Sequence, residues 1–463
     1  MFKPLIIKWY RRLQKYYKTY PRTVASIKAG IMYALIFVAC WQRLDPDFGW
    51  HLAAGNYIRQ HWIPAHDIFT YTARNFRWID HEWGNDVSVS WLYQWGGYGL
   101  LSAVYGAFWW GALCLFRNKI RLTILLIALL AFVPYIGVRT TVWSVLGVAI
   151  LLELIQHHSK RARLFIPLLF LVWANLHGSF VIGFALIAYF GIMRRNWKYL
   201  GLLLICVVVT FINPYGPRLY VEIARTLFDP ALHHEISEWR SFYLQSTTWP
   251  FIVLWAVGFW MFAKNKFKNW IGVAPIILLA TASSTRYMPI FVTTALRDID
   301  QYSERYKLPK NLDKPRKVIV GVFLLLVLIV IGYFSYQAYE PHGRESGYPQ
   351  QAVVYLQAHG CPGGNLFNDY NYGGYLIWKL PSVPVFIDGR MPSWRLPSGQ
   401  TYMENYYDLL KSPDQQKAEF ARYNIRCALF ATSPLNKQLN TDLTKAGWKT
   451  VLRANGSVLL MKS

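Results

Sequence analysis

The sequence predicts an α-helical polytopic membrane protein of about eleven transmembrane helices, N-terminus inside and C-terminus outside, with a small extracytoplasmic α/β domain at its C-terminal end. Three observations lead there. Of 463 residues, 54% are hydrophobic and 16% charged, more apolar surface than a water-soluble core of this size uses. The basic residues, which bring the formal net charge to +25, cluster between apolar runs. They follow no amphipathic face or aromatic RNA-binding pattern, so the charge reads as topology and no nucleic acid is expected as a partner. The final stretch, in contrast, mixes Gly, Pro and Asn turn signals with short alternating runs.

The chain opens on a basic tail, residues 1–28, which the positive-inside rule keeps in the cytoplasm. Apolar runs follow at 29–44, 87–116, 122–137, 141–156, 164–175, 179–193, 199–212, 249–263, 270–283, 287–296 and 317–337. Alternate connections carry the cations: Arg117 to Arg121, Lys160 to Arg163, Arg194-Arg195, Lys264 to Lys268, and Arg297 to Lys317. Those belong inside. The first loop (43–86), a second large loop (213–248), the turns near Arg139, His177 and Arg286, and the region 338–463 then fall outside the cell membrane.

Within 338–463 the pattern predicts helices at Gln350 to Ala358 and Asp414 to Tyr423. Short strands are expected at Val383 to Ile387 and Cys427 to Phe430, with a Gly373-Gly374 turn feeding a further strand, Leu376 to Trp378. Cys361 and Cys427 lie in this polar region, where an extracytoplasmic compartment would permit a disulfide between them. Cys40, Cys114 and Cys206 lie in apolar runs and read as small buried thiols.

The first loop holds acids and imidazoles at a density found nowhere else in the chain: Asp45-Pro-Asp47 with Trp50-His51, then His66-Asp67, then Asp80-His81-Glu82. Pro46 disfavours helical geometry at Asp45, so the run is expected to leave the first helix as a turn presenting both carboxylates. Such a pair can hold a divalent metal (magnesium, manganese or zinc) or take a proton from a reacting hydroxyl. The plain alternative is solvation of a helix end. Three outer turns supply complementary groups: Arg139, His177, and Arg286 with Tyr287. Cations at an apolar boundary need a partner or a wet cavity, although snorkelling to lipid phosphates also accounts for a lone arginine. In the second large loop, His234 and Glu238 are four apart and would share a face if helical, a second and weaker metal candidate, with Arg240 just beyond.

These segments carry a resemblance. Asp45-Pro-Asp47 with Trp50-His51 and Gly55, His81-Glu82-Trp83, the Asn175 to Gly178 turn, Asn213-Pro-Tyr-Gly, Glu238-Trp239, Asn368 to Tyr375 and Phe386-Ile-Asp388-Gly-Arg390 together resemble bacterial membrane proteins similar to the GT-C glycosyltransferase superfamily. The resemblance implies a multi-pass hexosyl or pentosyl transferase that uses a polyprenyl-phosphate sugar donor on the outer face of the membrane. The acceptor would be a glycan, lipid or protein. It places the catalytic acids at Asp45 and Asp47, with Asp80 and Glu82 behind them. Arg286, Arg139, His177, Tyr287 and Arg240 are expected on the donor phosphate, and Trp50, His51, His81, Asp388 and Arg390 on substrate. A lipid-linked glycan ligase or polymerase, or a non-catalytic transporter or scaffold, are the rival readings.

Overall fold

The computed structural model describes residues 21–42, 44–115, 135–156, 160–241, 277, 280–294 and 344–462. The expected runs at 122–137, 249–263, 270–283 and 317–337 lie largely or wholly outside them.

Helix α1, Pro21–Gln42, ends just before the acidic pair, and α2, Phe48–His61, starts just after it. Between them Pro46 does interrupt the helix: the Asp47 backbone N–H donates to Asp45 Oδ1 at 2.9 Å, closing a tight turn. The long helix α3, Trp83–Cys114, is broken by non-helical geometry at Gly96 and Gly97. Four shorter helices follow: α4 (Thr141–Gln156), α5 (Phe165–Leu176), α6 (Phe180–Met193) and α7 (Lys198–Val209). Next come α8 (Arg218–Phe228) and the one-and-a-half-turn α9 (Pro230–Glu235).

This corrects the expected eleven spans: among the described residues no helix is long and apolar enough to cross a membrane. Helices α4 to α7 contain 12 to 16 residues, about 18–24 Å at 1.5 Å per residue, against the roughly 30 Å of a bilayer core. The apolar run at 87–116 is divided by its glycine pair. Of the run at 287–296, the described residues 288–294 are helical.

Residues 344–462 form an α/β unit. It comprises α10 (Gln350–His359), β1 (Asn365–Asn368), α11 (Gly373–Lys379), α12 (Tyr402–Lys411), α13 (Pro413–Arg422), β2 (Ile425–Ala431), α14 (Lys437–Lys445), β3 (Trp448–Ala454) and β4 (Ser457–Lys462). The strands make one sheet in the order β1-β2-β4-β3, with β1 parallel to β2 and the other pairs antiparallel. The strand expected at Leu376 to Trp378 is instead part of α11. The Gly-Gly pair is used for close approach: a Cβ on Gly374 would lie 2.2 Å from the Pro46 carbonyl oxygen, and one on Gly49 would lie 2.0 Å from that of Gly374. Two backbones therefore touch where α11 crosses the start of α2. Val383 to Ile387 likewise forms no strand, only a bridge between Val385 and Thr70 of the first loop.

That bridge is one of many ties. Val385 donates to the Phe69 carbonyl at 3.0 Å and accepts from the Tyr71 N–H at 3.2 Å. The Tyr71 hydroxyl donates to the Leu366 carbonyl at 3.0 Å, and Phe76 stacks on Trp394 at 4.3 Å. The first loop and the C-terminal unit are one packed body. Cys361 and Cys427 are disulfide-bonded, joining the loop before β1 to β2, while Cys40 and Cys206 are buried free thiols. Tandem mass mapping of the unreduced protein is expected to recover a linked peptide pair containing Cys361 and Cys427. Reduction is expected to lower the stability of this unit by up to about 4 kcal/mol, the loop-entropy value for a closure of this length.

Candidate functional site

The turn between α1 and α2, the segment before α3, the loops before α4 and after α5, helix α8 and the C-terminal unit converge on one cavity of about 530 Å³. Its wall contains Asp45, Asp47, Asp80, Glu82, Arg139, His177, Arg286, Tyr287, Trp50, His51, His81, Arg390 and Glu238. Residues more than three hundred positions apart, expected on chemical type alone, thus meet in one place. Arg240, His234 and Asp388 do not line it.

The two aspartates of the first turn have different partners. Asp45 forms an ion pair with Arg139, whose other side pairs with Glu238, so Arg139 is neutralised between two carboxylates rather than free for a phosphate. Asp47 accepts the Trp50 indole N–H on Oδ1 at 2.9 Å and packs against Gly389, where a Cβ would lie 1.9 Å from that oxygen. Burial, then the neighbouring Asp45 charge, push the Asp47 carboxyl up to about 6.

Glu82 sits among three imidazoles: His177 Nε2 at 3.2 Å, His51 Nε2 at 3.7 Å and His81 Nε2 at 3.8 Å. Burial opposes its charge, but His81, His177 and His51, together with Arg286, outweigh burial and hold the carboxyl down at about 2. Burial takes His177 the other way, to about 3. Its Nδ1 accepts the Ser179 backbone N–H at 3.0 Å, which leaves the Nε2 proton facing Glu82. Asp80 is held up, by burial first and then by Asp86.

Arg286 lies in the short turn Thr285–Tyr287, whose backbone N–H at 286 donates to the Glu238 carbonyl at 3.0 Å. Its guanidinium stacks over Trp239 at 4.9 Å, and among the described residues it makes no ion pair with a carboxylate. The same cavity is also lined by the apolar side chains of Val181, Ile182, Ile223, Leu227, Ile236 and Ile290. Among the described residues Arg286 is thus a cavity-wall cation that makes no ion pair with a carboxylate.

Arg240 donates instead to the His234 carbonyl at 2.6 Å. Helix α9 ends at Glu235, so His234 and Glu238 share no helical face and Glu238 serves Arg139. Among the described residues no group of three or more His, Cys, Asp and Glu is arranged to hold a metal ion. Asp45 is paired with Arg139, and Asp47 holds the Trp50 indole through one of its two oxygens.

Asp388 and Arg390 serve the architecture. Arg390 donates through Nε and Nη2 to Asp388 at 2.8 and 2.6 Å and meets Asp67 at 2.8 Å. It is packed among Phe69, Trp78 and Trp394. This triad sets Gly389 against Asp47. Sequence reasoning did not single out Glu222, Tyr370 or Asn371, all in the cavity wall. Glu222 is the buried acid on amphipathic α8, paired with Arg225 at 2.7 Å, a signal too ordinary to stand out. Tyr370 and Asn371 belong to the recognised Asn368 to Tyr375 segment, where the glycines drew attention instead.

No protein-family model and no curated protein matches the sequence. Solved structures do match the fold. The oligosaccharyltransferase AglB of Archaeoglobus fulgidus, in complex with an inhibitory peptide and a dolichol-phosphate, superposes with a TM-score of 0.56 at 10% identity, covering 90% of this chain and 70% of that one. An Archaeoglobus fulgidus oligosaccharyltransferase in the apo form gives 0.54 at 11% identity, with 91% and 70% coverage. One tethered by a disulfide to an acceptor peptide containing the NVT sequon gives 0.53 at 10%, with 90% and 70%. The fold of this chain is therefore similar to that of these oligosaccharyltransferases.

The buried triad yields a direct test of the site's scaffold. Arg390→Ala leaves Asp67 and Asp388 buried without a counter-charge and is expected to cost about 3–5 kcal/mol, read as a lower unfolding midpoint. Arg390→Lys is expected to restore little, because one ammonium lacks the forked geometry that serves both carboxylates.

Proposed function

We propose that this protein is a GT-C-type glycosyltransferase that moves a sugar from a polyprenyl-phosphate donor to an acceptor hydroxyl or amide at a membrane. The observation that carries the proposal is Arg286: among the described residues a cation without a carboxylate partner, in the wall of a cavity lined by both acids and apolar side chains. A lipid phosphate has the matching form, an anion joined to an apolar chain on one side and a polar sugar on the other. The apolar side chains of Val181, Ile182, Ile223 and Ile290 take the first isoprenes, Arg286 and Tyr287 meet the phosphate, and the sugar projects toward Asp47 and Glu82.

Several features support the setting. One fold neighbour is in complex with a dolichol-phosphate and another is tethered to an acceptor peptide. Phe165, Leu168 and Val172 of α5 and Leu200, Leu204 and Val208 of α7 are exposed at helical spacing, apolar stripes suited to lipid. The Cys361–Cys427 disulfide fits an oxidising, extracytoplasmic compartment.

In the transfer the acceptor atom bonds to the anomeric carbon as the carbon–oxygen bond to phosphate breaks, and that electron pair leaves with the lipid phosphate. Negative charge collects beside Arg286 while positive charge develops on the sugar ring, where ionised Asp47 faces it. The Trp50 indole and Gly389 hold that carboxylate in place, so little reorganisation is needed as charge develops.

Purified protein given a panel of radiolabelled polyprenyl-phosphate sugars is expected to release the lipid phosphate and label an acceptor; failure with every donor would remove the proposal. Arg286→Ala and Asp47→Asn are each expected to lower the rate about 10²–10³-fold while the protein still folds, with Arg286→Ala weakening donor use more than acceptor use. Because Asp47 must be ionised and its carboxyl is raised to about 6, transfer is expected to fall as pH drops through that value and to level off above it. A wild-type rate that stays flat down to pH 5 would take Asp47 out of the chemistry.

A further inference from the structure

We propose that His51 is the group that takes the acceptor's proton, and that buried Asp86 is the positioning residue that presents the imidazole for it. This rests on the glycosyl-transfer reading above. His51 is in the first turn of α2 and Asp86 in the first turn of α3, two helices packed along each other. His51 Nδ1 lies 2.6 Å from Asp86 Oδ1, with Asp86 fully buried and His51 6% exposed.

The direction of that hydrogen bond follows from its neighbours. Asn85 Oδ1 accepts from the Tyr105 hydroxyl and from the Trp143 indole N–H at 2.8 Å, which fixes the amide so that its Nδ2 donates to Asp86 Oδ1 at 3.2 Å. Oδ1 of Asp86 is thus an acceptor, and His51 Nδ1 must be the donor. Burial pushes the carboxyls of both Asp86 and Asp80 up, while a side-chain hydrogen bond with Asp80 favours the charged form of Asp86.

The other nitrogen, Nε2, is left with a lone pair in the cavity wall. It stands 3.7 Å from Glu82 Oε2, too far for a hydrogen bond and close enough for an ion pair once the ring is protonated. The ring is clamped by Trp50, whose centroid lies 3.6 Å away, and the same indole bonds Asp47. Base and charge-stabilising carboxylate are therefore positioned by one side chain. A buried acceptor behind an imidazole, with the free nitrogen facing the reacting atoms, is the arrangement general-base catalysis requires. The step balances: the acceptor's O–H or N–H proton passes to Nε2, the freed pair forms the bond to the anomeric carbon, and the pair of the broken bond leaves on the phosphate. The imidazolium is met by Glu82 and Asp86 until it returns its proton to solvent.

The test joins spectroscopy to kinetics in the full-length protein. With selective ¹⁵N-histidine labelling, wild-type His51 is expected as the Nδ1–H tautomer. Asp86→Asn, whose amide can donate to Nδ1, is expected to switch it to Nε2–H. His51→Gln is expected to lower kcat about 10²–10⁴-fold with the donor KM within about threefold, and imidazole is expected to restore part of the rate in His51→Ala. A wild-type Nε2–H tautomer, an unchanged kcat in His51→Gln, or a loss confined to KM would each overturn the proposal. If wild-type protein shows the Nδ1–H tautomer yet transfers sugar from no lipid phosphate, the reading of the site fails. A wrong tautomer in an enzyme that does transfer sugar fails the dyad alone.

Discussion

The contact on which the site depends is the buried union of Arg390 with Asp67 and Asp388. A guanidinium removed from water must be matched by anions in good geometry, and once it is, the groups it joins are held firmly. Here it joins the first loop to the segment after α11, inside a cage of Phe69, Trp78 and Trp394. The C-terminal unit is consequently part of the cavity: it delivers Tyr370, Asn371 and Gly389 to the wall, with Gly389 against Asp47. A small residue at 389 is demanded by space alone, since Asp47 occupies the volume a side chain would fill.

Charge within the cavity is divided by the same rule. Arg139 is consumed by Asp45 and Glu238 and ties together three loop segments. Arg286 is held by its backbone and by a tryptophan face, which fixes its position and leaves its charge for a ligand. The imidazoles and Arg286 around Glu82 hold its carboxyl down, while burial pushes that of Asp80 up. Two carboxyls two residues apart are thus shifted in opposite directions because their surroundings differ.

Much of the site was legible in the sequence because its acids and imidazoles are close along the chain. Asp45, Asp47, Asp80 and Glu82 lie in one loop, and an acid-rich loop in an apolar protein carries a solvation cost that only a polar cavity or water relieves. The separate roles of these residues were not legible. Which aspartate pairs with Arg139, and that Asp388 and Arg390 act as a clamp, depend on contacts between segments about three hundred residues apart. Local pattern also misread α11: Leu376-Ile-Trp378 has the composition of a strand, and packing against α2 through Gly374 makes it helical.

The sequence by itself determined the acidic turn and the clustered acids and imidazoles of the first loop, since these rest on residue identity and short spacing. The eleven spans it also predicted did not follow, because hydropathy counts apolar residues without seeing that Gly96-Gly97 breaks one run or that several helices stop at 12 to 16 residues. Only the tertiary structure decided which charges are spent on each other and which remain for a ligand, because pairing is settled by distance, and distance between remote segments is a property of the fold.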